Sequence, residues 1–210
     1  MQTIKSFVFT ILLGISAAGL ITASAHATVV LQLSGNQLTG ATGVEVDGAV
    51  YDVVFVDGTC AAVFGSCDQN TQFLFDTAAA AQAAGEALLG QVFVDGPLGQ
   101  FDSIPSLTSG CSHGIICSAR IPQFANDFLV NGMVAGNFNA SFNDFDEVGP
   151  FGLDRLENTS LIIFEVWAVF TAKEAAAVPA PPALSLFAAG LVGLAAVRRR
   201  RLGLISFRQR

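Results

Sequence analysis

Positive charge is scarce where the bulk of this chain lies. Ten Lys and Arg residues occur in 210, and between Thr28 and Ala177 only Arg120, Arg155 and Lys173 carry positive charge. All seventeen Asp and Glu residues fall in that same stretch, which leaves it with a net charge of −14. A surface so acidic repels phosphate backbones and anionic lipid, so nucleic-acid binding is excluded and a charge-solubilised exported protein is expected. Catalytic vocabulary is thin as well. The chain has two His and four Cys residues and no Gly-x-Ser-x-Gly elbow. Ser112 and His113 are adjacent, and adjacent side chains seldom face one another as a catalytic pair must. Neither cysteine spacing is a Cys-x-x-Cys knuckle, which argues against structural zinc. No catalytic residue and no cofactor is expected.

Long apolar runs are confined to the two ends. Lys5 precedes the run Phe7 to Ile21, and Ala23-Ser24-Ala25-His26-Ala27 follows it. Basic, apolar and small-residue segments in that order form a secretory signal peptide, with cleavage after Ala27 or, alternatively, Ala25. Removal at Ala27 leaves His113 as the one histidine of the mature chain.

Between the ends the pattern is mainly β. Residues 43–58 place two β-branched runs around Asp47-Gly48, a dipeptide that readily takes the positive φ angles of a two-residue hairpin turn. Val-Asp-Gly recurs at 46–48, 56–58 and 94–96, each time closing an apolar run, and reads as repeated strand-end turn chemistry. Residues 77–89 form the one evident helix, alanine-rich, capped by Asp76 or Thr77 and weakened but not ended by Gly85. Residues 97–122 are rich in Gly, Pro and Ser and read as irregular. Over 126–143 apolar and small polar residues alternate, suggesting a strand with phenylalanines inward and asparagines toward solvent. Leu161 to Thr171 reads as a central strand covered on both faces, and its Glu165 requires Arg120 or Arg155 as a partner if buried. Cys60 with Cys67 and Cys111 with Cys117 are the expected disulfides, although four cysteines permit three pairings. Each small loop so closed restricts the unfolded chain by about 2.5 kcal/mol on the chain-entropy model. The acidic cluster Asp144, Asp146 and Glu147 is a weak calcium candidate that matches an EF-hand loop at two positions only; a solvated acidic turn is the alternative.

The C-terminal end carries Val178-Pro179-Ala180-Pro181-Pro182, the apolar run Ala183 to Val197, and Arg198-Arg199-Arg200-Arg201. Fifteen apolar residues make roughly 22 Å of helix, short of a hydrocarbon core of about 30 Å, and span it when arginines snorkel and the bilayer thins. The four arginines place the C-terminus in the cytoplasm and the acidic body outside the inner membrane. A proline motif, a short transmembrane helix and an arginine cluster behind a signal peptide resemble the PEP-CTERM sorting-domain proteins of Gram-negative, exopolysaccharide-producing bacteria. Pro179 and Pro181 match the two family prolines. Ala180 stands where the family glutamate would be, as in Val-Pro-x-Pro variants, and Leu202 to Arg210 extend beyond the usual basic end. The resemblance implies sorting by exosortase, a membrane transpeptidase-like enzyme that cuts near the proline motif. The body, from Leu38-Thr39-Gly40-Ala41-Thr42-Gly43-Val44 through the Val-Asp-Gly turns, also looks like a recurrent ectodomain of such proteins, one with no activity to carry over.

The expected organisation is a signal peptide at 1–27 and an exported β-rich domain at 28–171, an antiparallel sheet or sandwich with one Ala-rich helix. A linker with the sorting motif follows at 172–182, then a transmembrane helix with its Arg cluster at 183–201 and a cytoplasmic tail at 202–210. The expected partners are signal peptidase, an exosortase-like enzyme, the inner membrane and exopolysaccharide. The expected role is that of a non-enzymatic surface or matrix protein, periplasmic while anchored and extracellular after processing. The alternative is an anchored carbohydrate- or cation-binding module.

Overall fold

The structure, a computed structural model, describes residues 28–68, 73–139 and 145–173. The signal peptide, the sorting motif, the apolar C-terminal run and its arginines, and Asp144 lie outside the described residues.

The body is built on one seven-stranded sheet with cover on both faces. In chain order its strands are β1 (Val30–Ser34), β2 (Gln37–Val46), β3 (Ala49–Val56), β6 (Ile116–Ala125), β7 (Leu129–Phe138), β8 (Glu147–Asp154) and β9 (Glu165–Ala172). A small hairpin, β4 (Asp95–Gly96) with β5 (Gly99–Gln100), stands apart, and the helices are α1 (Cys60–Phe64) and α2 (Ala78–Gln91). Across the sheet the order is β1-β2-β3-β9-β6-β7-β8. Every neighbouring pair is antiparallel except β6 with β9, which run parallel over Ser118 to Arg120 and Glu165 to Trp167. The sheet is therefore mixed rather than antiparallel, and it is not a sandwich. Its parallel pair arises because β9 enters last and takes the central place between two three-stranded meanders.

The β2–β3 hairpin forms as expected. Asp47 at φ 49° and Gly48 at φ 79° supply the two positive φ angles of its turn. The last strand is also central and covered on both faces, but it begins at Glu165. Leu161 belongs to a 3-10 turn and is 81% exposed. Period-two alternation along β9 sends Val166, Ala168 and Phe170 to one core and Trp167 and Val169 to the other.

On the first face α2 lies across β2, β6, β7 and β8. Thr77 caps it, its hydroxyl accepting from the Ala80 amide, and Ala81, Ala84, Gly85, Ala87 and Leu88 are its buried positions. Val92 and Phe93 are fully buried just beyond it, and Leu89 is half-buried. On the second face α1 and the segment around Phe73 cover Trp167, with Phe64 edge-on to both Phe73 and Trp167.

Three further expectations are corrected. The section through Pro122 is not irregular throughout, because β6 starts at Ile116 and carries Pro122 at a register shift opposite Gly132. In β7 the asparagine face is not a solvent face: Asn137 is fully buried and donates from Nδ2 to the Phe101 carbonyl at 2.6 Å. Ala172, assigned to the linker, is the last residue of β9.

Gly85 is more than a tolerated weakness in α2. A Cβ there would stand 2.7 Å from Val148 Cγ1 and 3.0 Å from its Cγ2, so the missing side chain is what lets the helix settle on β8. Alanine would gain about 1 kcal/mol of helix propensity and incur overpacking of about 1–3 kcal/mol. Urea denaturation is expected to show Gly85→Ala no more stable than wild type, with Gly85→Ala/Val148→Ala more stable than Val148→Ala.

Candidate functional site

The most concentrated chemistry lies on the second face, where β3, β6 and β9 meet. Arg120 and Glu165 are both buried, on adjacent strands of the parallel pair and on the Trp167 side. Arg120 donates from Nε to Glu165 Oε2 at 2.8 Å and from Nη2 to Oε1, a two-pronged pairing. Its guanidinium sits 4.7 Å from the centre of the Phe151 ring, a cation–π contact that completes its enclosure. Of the two arginines available to Glu165, the fold selects Arg120. The planar fork of the guanidinium matches the carboxylate edge, so each charge is answered as it leaves water.

Next to this pair the end of β3 is tied down by a second polar group. Thr159 Oγ1 donates to Asp57 Oδ1 at 3.0 Å and accepts from the Gly58 amide at 3.1 Å. The Gly58 carbonyl in turn accepts from the Thr159 amide at 3.1 Å and from Trp167 Nε1 at 2.9 Å. Burial pushes the Asp57 carboxyl above its ordinary pKa, and the Thr159 hydroxyl only partly offsets this. Together these bonds pin the connection between β8 and β9 against the central strands.

Both expected disulfides are present, Cys60 to Cys67 and Cys111 to Cys117, and no described cysteine is free. The first fastens α1 over the second core; the second fastens the loop that leads into β6. Ser112 is exposed on that loop. His113 beside it accepts the Ile115 amide at Nδ1, 3.4 Å, and lies edge-on to Phe164 with ring centres 6.0 Å apart. Of the acidic cluster, Asp146 accepts the Phe138 amide at 2.8 Å and Glu147 opens β8, while Asp144 lies outside the described residues. Among the described residues no group of three or more His, Cys, Asp or Glu side chains converges on a metal position.

Sequence reasoning missed an apolar cleft of about 190 Å³ where β6 and β9 diverge beyond their parallel contact. Phe64, Phe73, Phe75, Ile121, Pro122 and Phe170 are among its lining residues. Phe73 belongs to the second core and Phe75 to the first, so the chain passes from one face of the sheet to the other beside this cleft. No periodicity of the sequence marks such a crossing; the phenylalanines of Phe73-Leu74-Phe75 were the available sign.

No family model, no curated protein and no solved structure matches the chain. Among the described residues no helix is long and apolar enough to cross a membrane.

The buried ion pair and the Asp57 carboxyl each give a prediction. Glu165→Gln strands a buried guanidinium, and removing one member of a buried pair costs about 3–5 kcal/mol. Replacing both members, Arg120→Met with Glu165→Met, is expected to recover most of that loss in denaturant titrations. For Asp57 the raised folded-state pKa means that its ionised form burdens the native state. Its contribution is most favourable below the unfolded pKa of 3.8 and is lost as pH rises through the folded value. Asp57→Asn is therefore expected to raise the melting temperature at neutral pH, with the gain shrinking toward zero below pH 3.8 in calorimetric scans.

Proposed function

We propose that this chain is an exported, non-catalytic β protein, anchored by its C-terminal segment and delivered to an exosortase-like processing enzyme at Val178 to Pro182. The observation that carries the export half is the pairing of all four cysteines into two short-range disulfides. Such bonds persist in oxidising compartments and are rare in the cytosol. The net charge of −14 on the body agrees with a protein that stays soluble outside the membrane. The sorting half rests on the tail residues themselves: the proline motif, the fifteen-residue apolar run and Arg198 to Arg201.

The non-catalytic reading draws support from the way ionisable groups are used. Glu165 is held in a closed pair with Arg120, and the Asp57 carboxylate takes the Thr159 hydroxyl. Each of these bonds joins one strand or connection to another, which is a structural use of charge. A glycosidase needs two carboxyl groups flanking one bond, roughly 5–10 Å apart in an open cleft, and Glu165 is enclosed by its arginine.

A ligand-binding module is the second reading. Its asparagine-faced strand is lost to the burial of Asn137, and its present support is the aromatic cleft at the β6–β9 divergence. Titration calorimetry with exopolysaccharide fractions reads it out: heat that Phe170→Ala abolishes favours the module.

Mass spectrometry of the exported protein tests the leading proposal. The expected species begins at Thr28 and ends before Ala183. A chain intact through Arg210 after export overturns processing.

A further inference from the structure

The two edges of the sheet are guarded unequally. β8 carries Pro150 near its middle, opposite Met133, and has Glu147 and Asp154 at its ends. Proline offers no N–H to an incoming strand and charge resists its approach, both common defences of an exposed edge. β1, at the other edge, reads Val-Leu-Gln-Leu-Ser, with neither proline nor charge. Its one irregularity is the register shift against β2 between Gln32 and Leu33.

Alongside β1 runs a groove of about 340 Å³. Val29, Val30 and Leu31 line one wall, and Val94, Pro97 and Leu98 of the β4–β5 hairpin line the other. Val30 and Leu98 are each more than half exposed. Asp95 also borders the groove, but its carboxylate is turned to its own loop. The Ser103 hydroxyl and the amides of Asp102 and Ser103 donate to it, and the hydroxyl above all holds its pKa below the ordinary value.

We propose that β1 pairs antiparallel with β1 of a second copy about a twofold axis, joining two seven-stranded sheets into one. An edge of unpaired N–H and C=O groups is met by an extended strand, and a twofold axis makes each copy supply the same one. Charge selects the place. Two bodies of net −14 repel wherever their acids face each other, whereas residues 28–44, which include β1 and most of β2, contain no acidic or basic side chain. In an antiparallel β1–β1 pair the exposed Leu33 of each copy lies against the groove that Val30 and Leu31 of the other copy line, covering surface that is otherwise wet. The pairing is independent of the sorting proposal, since it uses no residue beyond the body.

Sedimentation velocity of the full chain in a non-ionic detergent, across a dilution series, reads it out. Wild type is expected to run as a dimer. Val30→Lys, on the strand, and Leu98→Lys, on the opposite wall, are each expected to run as monomers. Leu156→Lys, an exposed apolar position beyond the far edge strand, is expected to remain dimeric. Both lysines enter exposed positions, and retention of the near-ultraviolet signal of Trp167 confirms that the variants are folded. The same four chains truncated after Lys173 separate this contact from any self-association through the C-terminal segment, and the monomer–dimer outcomes are read on them. A monomeric wild type, a dimer that survives both Val30→Lys and Leu98→Lys, or equal loss in Leu156→Lys overturns the proposal.

Discussion

Everything in this sheet depends on one short parallel contact. β1 to β3 form one antiparallel meander and β6 to β8 form another, and within the sheet the two are joined only through β9. Against β3 the last strand is paired over six positions, from Trp167 opposite Val56 to Ala172 opposite Tyr51. Against β6 it is paired over three positions. A parallel contact so short is weakly specified by its backbone bonds. The Arg120–Glu165 pair crosses that contact from one strand to the other, and a slip of one residue would turn one of the two charges to the opposite face, leaving its partner buried alone. The pair's value is therefore one of register more than of net stability.

The Ala-rich helix performs the complementary task on the other face. It touches β2 of the first meander and β6, β7 and β8 of the second, bridging the same junction from above. Its end is fixed by Gln91, whose Oε1 accepts the Glu45 amide at 2.9 Å while its Nε2 donates to the Glu45 carbonyl at 2.7 Å. Alanine and Gly85 give the helix a shallow surface, and a shallow surface can cross four strands without demanding a deep groove in any of them. That low relief serves close approach to the sheet.

What the sequence made legible were the features whose cause is local. Asp47-Gly48 specifies its turn by φ alone, Thr77 and the alanines specify α2, and short separation favoured the cysteine pairs. β9 was visible because a strand buried on both faces must be apolar nearly throughout. Features with a distant cause were not visible. β1 and β8 are edge strands with mixed, mostly exposed side chains, so neither carries a clear alternation. Asn137 is buried because Phe101, thirty-six residues away, offers a carbonyl to its amide. The parallel pairing of β6 with β9 follows from the order in which strands enter the sheet, and no residue of either strand announces it. For the same reason the choice of Arg120 over Arg155 for Glu165 needed the fold.

The position of β9 bears on the proposed tail. Lys173 follows it directly and donates its amide to the Val50 carbonyl, so the described chain leaves the body at the end of the sheet that carries the Asp47-Gly48 turn. From Lys173 to Val178 is five residues, a reach of at most about 18 Å fully extended. A processing enzyme acting at that motif must therefore come close to this end of the body. Asp47 and Asp127 are exposed there, the first at the β2–β3 turn and the second at the β6–β7 turn. Under the proposed anchoring, acidic turns at this end would be repelled by an anionic leaflet. Because β9 is also the strand that unites the two meanders, the sheet closes only after residues up to Ala172 have been delivered. On the proposed sorting, completion of the fold and presentation of the motif would be consecutive events along the same few residues of chain.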